Sequence, residues 1–316
     1  MVSTEIRAAV IGVGYLGRFH AQKWAALPGS RLVAVVDANE ATRAAVSAEL
    51  GVPGVGDWRG LLGQVDAVSI ATPTPLHHGI ARACLEAGVH VLVEKPITTT
   101  VAEAEELIAV AAARGRVLQV GHLERFNSAV RAIEGLVTRP RFIESARLAP
   151  FRLRGTDVSV VLDLMIHDID LIQSIVRSPI TSIDAIGSKV FSDDLDIANA
   201  RLKFASGCVA NVTASRVSLK TERKLRLFED EAYLSLDLQQ KILTVIRKGS
   251  APPVGDLPQV AIDERTYEQG DALKAQIEAF ADSIRTGQPP LVGGAEGRAA
   301  LETAIKIAAL VGAAAS

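Results

Sequence analysis

Up to about residue 122, the apolar positions of this chain fall in short runs separated by helix-length amphipathic stretches. Arg7–Gly12 (RAAVIG), Arg31–Asp37 (RLVAVVD), Ala67–Ala71 (AVSIA), Val89–Glu94 (VHVLVE) and Val117–Gly121 (VLQVG) predict strands. Gly14–Leu27, Ala41–Leu50, Ala81–Ala87 with its flanks and Val101–Arg114 predict the helices between them. Strands this uniformly apolar, alternating with helices, predict a parallel sheet covered on both faces. Beyond about residue 140 the period drops to two, in Ile197–Phe204, Cys208–Ser215, Lys224–Phe228 and Ala232–Leu238. That pattern predicts an antiparallel sheet with one buried face, and Phe228–Ala232 reads as a hairpin turn. A helix over Val158–Arg177 precedes this sheet and a Pro/Gly-rich connection, Gly249–Leu257, follows it. Two helices, near Asp271–Thr286 and Gly294–Gly312, close the chain.

Composition agrees with a folded protein of two domains: 316 residues, 48% hydrophobic and 22% charged. A net charge of -2 and 4% aromatics give no electrostatic or stacking reason to expect nucleic acid. The two cysteines, Cys84 and Cys208, lack metal-ligand spacing and read as reduced thiols of a cytoplasmic protein. The N-terminal run before Gly12 is too short for a targeting signal, and no apolar stretch is long enough for a bilayer, so no membrane is expected.

Between the first strand and the first helix stands Gly12-Val-Gly14-Tyr15-Leu16-Gly17. In a G-x-G-x-x-G turn the first glycine makes the tight turn, the second admits a pyrophosphate and the third lets helix approach strand. The helix N-terminus and its dipole then hold the phosphates. Asp37, at the end of the second strand, stands where an acidic group accepts the adenosine ribose hydroxyls; it points to NAD and away from NADP, unless it only opens the loop. The expected architecture is an α/β Rossmann domain over 1–122 and an α+β domain over 123–316 with an open, mostly antiparallel sheet, the final helices 271–316 able to pack back on the first. Ala71-Thr72-Pro73…His77 and Glu94-Lys95-Pro96 both follow strands at the carboxyl edge, where ligands bind in doubly wound folds. Asp163 and His167 are spaced i, i+4 on the predicted helix and so share a face. They read either as a satisfied core pair or as a general base with its orienting carboxylate; Asp168 lies further round and reads as structural. A metal at Asp163 and His167 lacks an evident third ligand.

With those motifs in place, the chain resembles the glucose–fructose oxidoreductase/inositol dehydrogenase (Gfo/Idh/MocA) family nearly end to end. The likeness includes Val120-Gly-His122-Leu-Glu-Arg125-Phe-Asn127, Asp163-x-x-x-His167-Asp168 and the tail pattern Gln276-Ile-Glu-Ala-Phe280…Gly287-Gln-Pro-Pro…Gly293-Gly-Ala-Glu-Gly-Arg298. The resemblance implies hydride transfer between a sugar-type alcohol and nicotinamide, with Lys95, Asp163 and His167 completing the active site and a homodimer or homotetramer formed through the C-terminal sheet. The Gly-His-Leu-Glu-Arg-Phe-Asn form is most similar to members acting on nucleotide sugars, UDP-N-acetylglucosamine 3-dehydrogenases in particular. Under that reading His122, Arg125 and Asn127 face substrate, and Arg125 with Arg152 or Arg154 grips a pyrophosphate; the two latter arginines equally suit a solvated strand face. The alternatives are a free monosaccharide or inositol dehydrogenase with the same residues, or a non-catalytic NAD(P)/sugar sensor. Two departures stand out: Ser128 replaces a proline common after Arg-Phe-Asn, and Val158–Leu162 lacks the glycines usual before the Asp163 position.

Overall fold

The computed structural model describes residues 5–152, 158–249 and 259–314. By their internal contacts these form two compact units: Met1–Leu123 with Asp271–Leu301, and Glu124–Gly270 with Glu302–Ser316. In the first, β1 (Ile6–Ile11), β2 (Ser30–Val36), β3 (Gly54–Val55), β4 (Ala67–Ile70), β5 (His90–Glu94) and β6 (Leu118–Gly121) make one sheet in the order β3-β2-β1-β4-β5-β6. Every pairing in it is parallel, and the order reverses beside β1, the switch point at which dinucleotides bind. Helices α1 (Tyr15–Ala26), α2 (Glu40–Leu50), α3 (His77–Glu86) and α4 (Val101–Arg114) connect the strands. The bounds of α4 match the sequence reading to the residue, because both ends are chemically marked. Thr100 and Glu103 form a reciprocal capping box, and Gly115 takes the left-handed conformation at φ 60°.

The second unit is built on eight strands: β7 (Phe142–Leu148), β8 (Ile180–Ser188), β9 (Ile197–Phe204), β10 (Val209–Ser215), β11 (Glu222–Phe228), β12 (Ala232–Asp237), β13 (Ile242–Lys248) and β14 (Val260–Thr266). Their order is β14-β13-β12-β11-β7-β10-β9-β8, antiparallel except for the parallel pair β7 and β10. One face is buried through Ile143, Ala200, Leu202, Val212, Leu225, Leu227, Leu234 and Leu236. The other presents a mixture of charged, polar and apolar side chains. Short α5 (Ser128–Arg131) and α6 (Ile166–Val176) belong to this unit.

The single helix read over Val158–Arg177 is corrected. The chain makes a π-helical turn over Val161–Met165 and enters the α-helix only at Ile166. A π turn holds more than four residues, so a spacing of four falls short of a full turn there instead of slightly exceeding it. The offset between Asp163 and His167 therefore differs from that of a regular helix.

The chain ends with α7 (Ala272–Thr286) and α8 (Gly294–Ala314). Leu273, Ile277 and Phe280 of α7 join the core around β1, β2 and α1, where Trp24 meets Phe280 edge-on at 6.1 Å between ring centroids. The Trp24 indole N–H, fully buried, donates to Ser69 Oγ at 2.8 Å. No described helix is long and apolar enough to cross a membrane. Arg154 and most of the connection read over Gly249–Leu257 lie outside the described residues.

Candidate functional site

In the first unit the three motif glycines separate by physical role. Gly12 sits at φ 84°, and a Cβ there would come within 2.8 Å of the Ala71 and Thr72 backbone. A Cβ on Gly17 would overlap the Gly12 carbonyl oxygen. These two are glycines because the fold closes on them. A Cβ on Gly14 would meet no atom within 4 Å, so its smallness matters only to something arriving from outside. Gly14 is also the N-cap of α1, which has no side-chain cap and no acidic residue in its first turn. That leaves its backbone donors and positive dipole end suited to an anion.

A cleft of about 700 Å³ opens over this turn, lined by Gly12, Gly14, Asp37, Ala71, Thr72 and Pro73 and, on its far wall, by Trp58 and Arg59. Both Asp37 oxygens accept backbone N–H groups, from Val13 at 2.9 Å and Asn39 at 2.8 Å, which fixes a carboxylate at the end of β2. Arg43 donates to the Asp37 carbonyl at 2.7 Å, and the Arg59 guanidinium lies 4.7 Å over the Trp58 ring. The sequence reading did not single out Trp58 or Arg59. They follow a two-residue strand that carries no periodic signal. Tyr15 is exposed on α1, and neither it nor Leu16 lines the cleft among the described residues.

His77 and Glu94 lie beneath this surface. The His77 ring reaches the Thr72 carbonyl at 2.8 Å and the Pro96 carbonyl at 2.9 Å, tying the two edge loops together. Burial pushes its imidazole down, against the upward pull of the two carbonyls and the Glu94 charge. Glu94 is buried with His20 Nε2 at 3.0 Å. Burial would push its carboxyl up, but the hydrogen bond and charge of His20, with the charge and backbone N–H of Lys95, hold it below the ordinary carboxylate range. His122 is buried at the end of β6.

In the second unit Asp163 lies in the π turn and His167 in the first turn of α6, both half-buried. Asp168 is buried and grips Arg147 of β7 through two bonds, 2.8 Å from Nε and 3.1 Å from Nη2. The third Arg147 nitrogen meets Glu124 at 3.0 Å. Burial alone would lower the Arg147 guanidinium's proton affinity; Asp168 and Glu124 reverse that and raise it. Two residues expected to face substrate have polar partners within this unit. Arg125 lies 3.8 Å from the buried Asp170 carboxylate. The Asn127 side chain caps α5 by accepting from Ala129 N–H, and donates to the Leu238 carbonyl at 2.8 Å and to Glu124 at 3.2 Å. Arg216 is buried against Asp196 and donates to the Val158 carbonyl at 2.7 Å, fixing the chain just before the π turn. Arg152 is exposed. Among the described residues, no three His, Cys, Asp or Glu side chains cluster as a metal site.

Comparison with known proteins gives matches over both units. Residues 6–122 match the family described as "Oxidoreductase family, NAD-binding Rossmann fold", and residues 129–235 match the GFO/IDH/MocA C-terminal domain. UDP-N-acetylglucosamine 3-dehydrogenase of Acidithiobacillus ferrooxidans is 39% identical, over 96% of each chain. A solved structure of that enzyme superimposes with a TM-score of 0.91, at 38% identity and covering 98% of each chain. The scyllo-inositol 2-dehydrogenase (NAD(+)) of Bacillus subtilis is 27% identical, over 95% of this chain and 92% of its own.

Proposed function

This chain belongs to the Gfo/Idh/MocA oxidoreductase family, and from that membership we propose that it oxidises a nucleotide sugar, UDP-N-acetylglucosamine at C3, with NAD. The observation that carries the substrate is the 39% identity, spread over nearly the whole chain, to an enzyme named for that reaction. Cofactor choice rests on the cleft in the first unit. It fits a dinucleotide, because Gly14 opens onto empty space at an uncapped helix N-terminus and the Asp37 carboxylate stands at the ribose end. That fixed negative charge favours two ribose hydroxyls and repels the additional phosphate of NADP. Bound there, the nicotinamide ring supplies the acceptor for the hydride of the alcohol carbon. His167 takes the hydroxyl proton, Asp163 orients His167 or binds a neighbouring hydroxyl, and Lys95 hydrogen-bonds the reacting oxygen. Arg125 and Asn127 also hold the segment after β6 in shape, Arg125 beside the Asp170 carboxylate and Asn127 through its bonds with Glu124, Leu238 and Ala129. His122 stays a substrate-side candidate.

The test is NADH formation with UDP-N-acetylglucosamine, myo- and scyllo-inositol and simple aldoses, run with NAD and again with NADP. The reading stands if the nucleotide sugar with NAD gives the highest kcat/KM. Preference for an inositol, as expected of relatives such as the 27% identical enzyme, or for NADP would replace it; tight NAD binding with no turnover on any sugar would point to a sensor.

The cleft itself is tested by a pair of variants. Gly14→Ala should leave thermal stability unchanged yet weaken NADH binding, whereas Gly17→Ala should lower stability. Binding is read as quenching of tryptophan emission, since Trp58 lines the cleft and Trp24 is sealed in the core. Equal affinity in Gly14→Ala would remove the dinucleotide from this turn.

The reading also has this protein cytoplasmic and assembled through the open face of its second sheet. Val209, Phe142, Phe228, Tyr233, Ile246 and Ile262 stand opposite one another in register across β10, β7, β11, β12, β13 and β14. An apolar row crossing a sheet face suits a self-complementary contact with a second copy. Tyr233→Glu should convert the oligomer to monomer by light scattering; a wild-type chain that is already monomeric would end this part of the proposal.

A further inference from the structure

Behind the Lys95 loop lies a buried arrangement that the roles above do not use. Glu94, the last residue of β5, points inward, and a Cβ on Gly121 of β6 would collide with its carboxylate. The glycine therefore makes room for an acid at a place where an apolar side chain would be the simpler filling. Burying a carboxylate is costly unless it is paired and hydrogen-bonded. The partner is His20, which reaches it from α1, is fully buried and touches it at 3.0 Å through Nε2. His20 Nδ1 is buried and meets no hydrogen-bond partner among the described residues. A structural histidine normally satisfies both ring nitrogens, so this one is held for what Nε2 does to Glu94. The acid in turn receives the Lys95 backbone N–H and feels the Lys95 charge. On the other side, His77 of α3 holds the Pro96 carbonyl and feels the Glu94 charge. Among the described residues, His20 from α1, Lys95 beyond β5 and His77 from α3 bring charged or titratable groups to bear on Glu94, and Gly121 of β6 lies against its carboxylate.

We propose that His20 is a positioning residue: its Nε2–H holds Glu94 as an oriented anion behind Lys95, and that anion fixes the Lys95 ammonium for its contact with substrate. The proposal rests on the assignment of Lys95 above. Its sign follows from the pairing. A buried carboxylate that loses its donor takes up a proton at higher pH than before, so the anion disappears as pH falls.

His20→Leu should therefore introduce an acid limb, with kcat falling as pH drops. KM for NAD should move little. His20→Gln carries a donor where Nε2 was and should restore the unlimbed profile. Glu94→Gln should be slow at every pH, with no limb. A second readout needs no substrate: the rate at which an amine-directed reagent labels Lys95 in the cofactor-free protein, followed by peptide mass spectrometry. Glu94→Gln and His20→Leu should change that rate several-fold, and His20→Gln should not. If His20→Leu does not fold, the labelling rates of the two glutamine variants decide the matter. Wild-type labelling in Glu94→Gln, or a limb common to His20→Leu and Glu94→Gln, overturns the proposal. Lys95→Ala separates the two failures. If it keeps its turnover, the assignment of Lys95 falls; if it is inactive while Glu94→Gln is normal, the positioning role falls alone.

Discussion

His167→Ala is expected to lower kcat by about 10²–10⁴-fold, the usual contribution of a positioned general base, while leaving NADH affinity unchanged. The two quantities separate because the residues lining the dinucleotide cleft come from the first unit and His167 from the second. The loss should fall on kcat and kcat/KM alike, since proton removal is an interaction gained on the way to the transition state. Stopped-flow measurement of NADH formation reads the first quantity, and tryptophan quenching by NADH reads the second. Near-normal turnover in the variant would take the proton from His167 and leave Lys95 as the remaining candidate. A variant that also lost NADH binding would indicate a disturbed fold, which the thermal midpoint would reveal. His167 lies beside Asp168, whose buried bonds to Arg147 hold the start of α6, so removal of the imidazole alone should not disturb the helix.

What sequence reveals here depends on which side of each strand is polar. The parallel sheet was legible because its strands are apolar on both faces, and the glycine turn because it stands between a strand and a helix at the start of a βαβ unit. The strand β7 escaped because its pattern is inverted: of its inward positions Ile143, Ser145 and Arg147, two are polar, so alternation points to the wrong face. Ser145 and Arg147 are inside because Arg147 meets carboxylates there. The strand β14 escaped for the opposite reason, being exposed at every position and so without periodicity. The π turn at Val161–Met165 adds a residue to a helix without changing its composition, which no pattern of apolar positions records. The same limit governs the site. Arg125 and Asn127 look like ligand-binding residues in a motif rich in hydrogen-bonding groups. Their partners Asp170 and Leu238 lie far along the chain, and residue type alone does not reveal either contact. His20 gave no signal either, since a histidine on the inner face of α1 reads as core until Glu94 is seen across from it.

The triad of buried Arg147 and Asp168 with partly buried Glu124 carries the largest expected effect on stability. Arg147→Met should destabilise the second unit by about 3–5 kcal/mol, because it takes from the buried Asp168 carboxylate and the partly buried Glu124 carboxylate the guanidinium that holds both within 3.1 Å. Arg223, 3.6 Å from Glu124 and half-exposed, offsets little of that. Differential scanning calorimetry measures the deficit; a variant as stable as the wild type would show that the guanidinium is dispensable to the fold. Replacing all three by apolar residues of similar volume should recover much of the stability, as it does for other buried ion pairs. Activity should not recover with it, because the bidentate grip on Asp168 fixes the turn of α6 from which His167 projects, and an apolar contact holds a helix without holding its rotation. A triple variant both stable and fully active would show that packing alone sets that rotation, and that the ion pairs are dispensable to the site.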